Sequence, residues 1–236
     1  MAQRRDMVTG SSPGAGLSPE VNKRPLKLLV IGATRGTGLQ VMRQALAAGH
    51  TVTALARDPA RIELHHERLS VLRGDVLDPA SLAPSMAGQD AVLSSLGATS
   101  GRGQITLYSE GMRNIIQAMR AAGVPRLIAV SAGPLSIDEG DTLPSRLLMK
   151  PLLRVAFREA YADLARMEEE MRESGLDWTI MRPPRLTDKP PTGRYRTAVN
   201  RSVRRGYSIA RADLAGAILK LLDDPTAIHA TMGIGY

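Results

Sequence analysis

From Lys27 onward, short apolar runs alternate with segments whose apolar residues recur every three or four positions, the pattern of strands and amphipathic helices that build a parallel sheet. Leu28-Leu29-Val30-Ile31 is apolar throughout, as a strand buried on both faces requires. A helix follows with Leu39, Met42, Ala45 and Leu46 on one face and Gly49 at its end. Thr51–Ala56 and Leu69–Leu72 read as the second and third strands. Asp78-Pro79 then opens a short helix, with a capping side chain before proline at the first helical position. Ala91–Leu96, Leu127–Val130 and Trp178–Met181 supply the fourth, fifth and sixth strands. Long helices are predicted over 105–122, ended by Gly123 and Pro125, and where Leu164, Met167 and Met171 recur before Ser174-Gly175. A last helix puts Leu214, Ile218, Leu221 and Leu222 on one face, and an edge strand is expected near 227–234. The stretches 133–150 and 185–208 read as substrate-side loops, the second irregular and polar.

These elements predict one α/β domain over 27–236, a Rossmann-like doubly wound parallel sheet with helices on both faces. A chain of 236 residues can bury one good-sized core without dividing. Residues 1–26 mix Ser, Gly and Pro with Arg4, Arg5, Asp6 and Glu20 and contain no apolar run before a small-residue site, so they read as a flexible tail and not a targeting signal.

The first strand runs into Gly32-Ala33-Thr34-Arg35-Gly36-Thr37-Gly38, which opens the first helix. In that setting Gly32 permits a tight turn, Gly36 lets the backbone approach a pyrophosphate, and Gly38 lets helix and strand pack closely, while the helix N-terminus attracts the anion. The pattern predicts a dinucleotide site that includes Thr34 and Thr37. The end of the second strand chooses the dinucleotide: an acidic residue there would hydrogen-bond a ribose 2′-hydroxyl, whereas Arg57 can hold a 2′-phosphate with two parallel bonds. NADP(H) is therefore the expected cofactor. Arg35 and Arg61 either add charge to the same pocket or are solvated surface arginines.

Composition narrows the alternatives. With no cysteine, the chain has no disulfide, no thiolate metal site and no cysteine nucleophile, in keeping with a reducing cytoplasm. No apolar run is long enough to cross a bilayer, so no membrane association is expected. The net charge of +8 invites a nucleic-acid reading, but the basic residues are scattered, arginine pairs occur only at Arg4-Arg5 and Arg204-Arg205, and aromatic residues make up 3% of the chain. A solvated surface accounts for the charge, and no nucleic-acid partner is expected. His65-His66 lack helical metal-ligand spacing, His50 and His229 carry no motif, and no metal is expected.

Beyond the glycine turn, Arg57-Asp58, Gly74-Asp75-Val76, Gly88-Gln89-Asp90-Ala91-Val92, Ser109-Glu110-Gly111 with Asn114, Ser131-Ala132, Glu173-Ser174-Gly175-Leu176 and Pro183-Pro184 form a series from Lys27 to the C-terminal region. Together they resemble the atypical short-chain dehydrogenase/reductases, in particular the NAD(P)H-binding group that includes biliverdin reductase B and the nitrogen-metabolite-repression regulators. The resemblance implies that Asp75 and Val76 lie beside the adenine, Leu96 and Gly97 along the middle of the cofactor, and Ser131 with Pro183-Pro184 around the nicotinamide. Two positions depart from that group. Arg185 follows the double proline, where biliverdin reductase B carries histidine, and Arg35 stands in the turn where relatives often have glycine.

The best-known short-chain reductases lower the pKa of a catalytic tyrosine with a lysine four residues later. Here Tyr161 is followed at that spacing by Ala165. Hydride transfer mainly needs an acceptor stacked on the nicotinamide, and the proton can come from solvent. Ser131 and Arg185 are then the expected polar groups nearest the acceptor, Ser131 as a hydrogen-bonding residue and Arg185 as an attractor of an anionic substrate. Three function classes stay open: an NADPH-dependent reductase of flavins, quinones, tetrapyrroles or related planar small molecules; a redox sensor that binds NADP(H) without turnover; and a specialised biosynthetic enzyme. Either a monomer or a dimer is compatible with the sequence.

Overall fold

In the computed structural model, residues 24–97, 106–133, 147–148 and 150–236 are described. Most of the tail expected at 1–26 and most of the loop expected at 133–150 lie outside the described residues. The elements are β1 (Lys27–Ile31), α1 (Gly36–Ala47), β2 (Thr51–Ala56), β3 (Leu69–Arg73), α2 (Pro79–Met86), β4 (Ala91–Ser94), α3 (Leu107–Ala122), β5 (Arg126–Val130), α4 (Lys150–Ala156) and α5 (Arg158–Arg172), followed by β6 (Asp177–Arg182), β7 (Arg185–Thr187), β8 (Arg196–Val199), β9 (Ser208–Ala210), α6 (Arg211–Lys220) and β10 (Ala230–Gly235). The main sheet has the order β3-β2-β1-β4-β5-β6-β10-β8; every pairing is parallel except that of β8 with β10.

Strand alternation explains why this sheet needs helices on both sides. In β1, Leu28 and Val30 point into one core with Val41, Met42 and Ala45 of α1 and Leu214 and Ile218 of α6. Leu29 and Ile31 point into the other, with Met112, Ile115 and Met119 of α3 and Leu164, Met167 and Met171 of α5. These four side chains are all buried, so a polar substitution at any of them would enter a core. The expected doubly wound α/β domain is thus present, and among the described residues no helix is long and apolar enough to cross a membrane.

Two parts of the chain differ from the sequence expectation. The stretch 185–208, read as irregular, contains β7 and β8 and leads into β9; β7 and β9 form a separate two-stranded parallel ribbon. The side chains of β8 are largely exposed, so they carry no apolar alternation from which a strand could be recognised. The strand expected at the edge near 227–234 is β10, which lies inside the sheet between β6 and β8 and has all six residues buried.

Candidate functional site

Strand order proceeds in opposite directions from β1 and β4, which opens a crevice at the C-terminal ends of the strands. A cleft of about 990 Å³ lies there, lined by the glycine turn, the ends of β2, β4 and β5, the loop after β3 and the start of α3. Gly32, Thr34, Arg35, Gly36, Thr37, Arg57, Arg61, Asp75, Val76, Leu96, Gly97 and Ser131 all line it.

The turn is shaped by backbone crowding. Gly32 has φ +83°, and a Cβ there would run into the carbonyl oxygen of Ser95 just after β4. A Cβ on Gly38 would strike the carbonyl oxygen of Gly32, so Gly38 lies behind the cleft and sets the contact of α1 with the end of β1. Gly36, at φ +59°, has an open face instead; the nearest atom to a Cβ there is Nε of Arg211, 3.5 Å away. Arg35 precedes α1 with extended backbone and no capping side chain, and the first turn contains no acidic residue. The leading N–H groups of α1 thus have no anion from their own helix.

Arg35, Arg57 and Arg61 are exposed along this cleft, and none forms an ion pair with a carboxylate among the described residues. Asp58, the carboxylate next to Arg57, instead accepts from the N–H of Ala60 and starts the turn 59–61. Asp75 has a similar local role, accepting from the N–H of Leu77 at 3.1 Å, while the Asn114 amide donates to the Val76 carbonyl at 2.9 Å and fixes the loop after β3. Gly111 leaves room for Val76, whose Cγ2 would be 2.9 Å from a Cβ. Ser109 and the N–H of Tyr108 both donate to the buried carboxylate of Asp163, so α5 caps the start of α3 at the cleft's edge.

At the far end the Ser131 hydroxyl donates to Glu168 Oε1 at 2.7 Å. Glu168 is 2% exposed and also accepts from Arg182 and, at 2.7 Å, from Arg172. Burial alone would raise its pKa, but the hydrogen bonds and charges of Arg182, with the contributions of Ser131 and Arg172, hold it below the ordinary glutamate value. A sequence signal for this residue existed: Glu168 falls four after Leu164 and three before Met171, a carboxylate on the apolar stripe of α5. Arg211, Tyr108 and Leu186 also line the cleft and were not anticipated. Pro183 and Pro184 are not among the lining residues; the Pro183 carbonyl accepts from Gly133 N–H at 2.8 Å and ties β6 to β5. Arg185 is exposed at the start of β7 and is not among the lining residues. Tyr161 is partly buried against Phe157 and is not among the lining residues, and burial raises its pKa.

Residues 32–225 match a protein family described as NAD(P)H-binding. The Bacillus subtilis protein YwnB, itself uncharacterized, is 28% identical over 207 residues, which cover 85% of this chain and 93% of YwnB. A short-chain dehydrogenase/reductase from Veillonella parvula in complex with NADP has the same fold, with TM-score 0.73 at 19% identity over 89% of this chain and 94% of that one. ChuY, an anaerobillin reductase from Escherichia coli O157:H7, aligns with TM-score 0.68 at 24% identity over 88% of this chain and 96% of its own.

Proposed function

Because the chain belongs to the family of NAD(P)H-binding proteins, we propose that it is an NADPH-dependent reductase that passes a hydride to a small planar acceptor such as a flavin, a quinone or a linear tetrapyrrole. The observation that carries this reading is the polarity of the cleft along its length: three guanidinium groups without carboxylate partners among the described residues at one end, and a serine among Val130, Ala132 and Leu164 at the other. NADPH, when bound, supplies the hydride.

The chain's own residues do the rest. The uncapped first turn of α1 and the open face of Gly36 receive the pyrophosphate. Arg57, with Arg35 and Arg61 beside it, receives the 2′-phosphate. The hydrogen of the Ser131 hydroxyl is committed to Glu168, so the oxygen offers the cleft only lone pairs and selects an N–H donor such as a carboxamide. Apolar walls around Ser131 suit a flat acceptor better than a polyhydroxylated one, which would need many hydrogen-bond partners. The shared fold of ChuY, an anaerobillin reductase, supports this reading.

The cofactor preference is directly testable. By calorimetric titration NADPH is expected to bind at least about tenfold more tightly than NADH, roughly 1.4 kcal/mol, and Arg57→Glu is expected to reverse the order. Equal affinities in the unaltered protein would remove the assignment of Arg57. Turnover is tested by NADPH oxidation with a panel of flavins, quinones and tetrapyrroles. Tight NADPH binding with no oxidation above the protein-free rate would overturn the reductase reading in favour of a cofactor-sensing role.

Tyr161 is not the proton donor in this scheme. Burial pushes its pKa up, Ala165 stands where a lysine would counteract that, and its side chain is outside the cleft lining. Tyr161→Phe should keep turnover within about threefold of the unaltered protein. A thousandfold fall with NADPH affinity intact would show that the tyrosine is activated after all.

A further inference from the structure

Resting on the cofactor reading above, we propose that Arg211 is a diphosphate-binding residue, its guanidinium held over the open face of Gly36 so that it borders the pyrophosphate site beside the first turn of α1. Neither the glycine turn nor Arg57 requires such a residue. It comes from the last helix, remote in sequence from both.

The placement is fixed from two directions. The start of α6 is pinned to α1 because Gln44 Nε2 donates to the Ala212 carbonyl at 2.8 Å, and Gly216 leaves room for the same glutamine, whose Oε1 would be 3.2 Å from a Cβ. From that anchored start the Arg211 side chain runs along the turn, with Nε 3.5 Å and Cδ 3.7 Å from where a Gly36 Cβ would be. The approach is possible because Gly36 has no side chain.

Arg211 already has a partner, and that partner does not account for its position. One terminal nitrogen donates to Asp188 Oδ1 at 2.7 Å, but the Asp188 side chain is 87% exposed, and a pair with so exposed a carboxylate contributes little to stability. A guanidinium offers five N–H donors in a planar fork. Asp188 engages one corner, and the Nε side remains directed along Gly36. The first-turn N–H groups of α1 and this arginine therefore converge on one space from two helices. A diphosphate, with acceptor oxygens on two phosphorus atoms, matches donors supplied by two helices. Arg57 lies at the end of β2, so the two arginines are assigned to different phosphates of the same ligand.

The two assignments can be separated with fragments of the cofactor. ADP carries the diphosphate without a 2′-phosphate, and 2′-AMP carries the 2′-phosphate without a diphosphate. In calorimetric titrations Arg211→Gln is expected to weaken NADPH and ADP by about tenfold, the scale of one charge-assisted hydrogen bond, and to change 2′-AMP less than about twofold. Arg57→Gln should give the converse pattern, weakening NADPH and 2′-AMP and sparing ADP. Asp188→Asn breaks the ion pair but keeps the guanidinium, and ADP should bind it at least as tightly as the unaltered protein. Arg211→Lys, which keeps charge and loses the fork, should be intermediate and serves if the glutamine variant does not fold. ADP affinity within twofold of the unaltered protein in a folded Arg211→Gln variant, while Arg57→Gln behaves as expected, would overturn the proposal and leave Arg211 as a tie to Asp188. If the unaltered protein binds neither NADPH nor ADP, the cofactor reading itself falls and this assignment with it.

Discussion

Gly32→Ala is expected to destabilise the protein by about 2–5 kcal/mol and to abolish measurable NADPH binding, through a methyl group placed where two backbones already touch. At φ +83° an L side chain is strained, and the added carbon would also meet the Ser95 carbonyl, which is backbone and cannot swing aside. Gly38→Ala should act similarly, because its Cβ would press on the carbonyl of Gly32. Gly36→Ala provides the contrast. Its φ of +59° carries a strain of about 1–2 kcal/mol, but the space around it is ordinary, so this variant should fold well and lose ligand affinity more than stability. Urea melts paired with NADPH titrations would measure both quantities. A Gly32→Ala protein as stable as the unaltered one would contradict the crowding argument.

Glu168→Ala should cost about 3 kcal/mol, because it strands charges in place. Arg182, whose side chain is 19% exposed, would lose both of its hydrogen bonds to the carboxylate, and the Ser131 hydroxyl would lose its acceptor. The same group gives the stability a pH signature. With its folded pKa below the ordinary value, the carboxylate contributes stability fully above the unfolded pKa of about 4.3, and that contribution disappears as pH falls through the folded value. The difference in stability between the unaltered protein and Glu168→Ala should therefore be largest near neutrality and shrink below about pH 4. A difference that stays constant from pH 7 to pH 3 would mean that the carboxylate's charge is not what holds the network together.

The sequence was most legible where one backbone period controlled burial. β1, β2, β5 and β6 were recognisable because their apolar runs enter cores on both faces, and α1, α3 and α5 because their stripes face only one. The glycine turn was legible for a related reason: its residues are local, and their spacing reports backbone crowding directly. Other parts depended on contacts between distant segments. Nothing near Arg211 indicates that α6 starts beside Gly36, since that follows from the packing of α1 on α6 through Gln44. Arg185 was expected near the acceptor because it follows Pro183-Pro184; it is exposed at the start of β7, which pairs with β9, while its neighbour Leu186 lines the cleft. Glu168 was hidden by its neighbours, as Glu169 and Glu170 on the same helix make a solvated acidic patch the natural reading, although only Glu168 is buried.

The interior position of β10 has a consequence for how the protein is made. β8 is complete at Val199, but the strand between it and β6 begins only at Ala230, so during translation β8 waits without its sheet partner while α6 is synthesised. Until Ala230–Gly235 leave the ribosome, β6 presents an unpaired edge of buried-type residues, the kind of template to which other chains attach. Ribosome stalling or premature termination within α6 would therefore release a nascent chain prone to aggregation, whereas a chain synthesised past Gly235 closes that edge with β10.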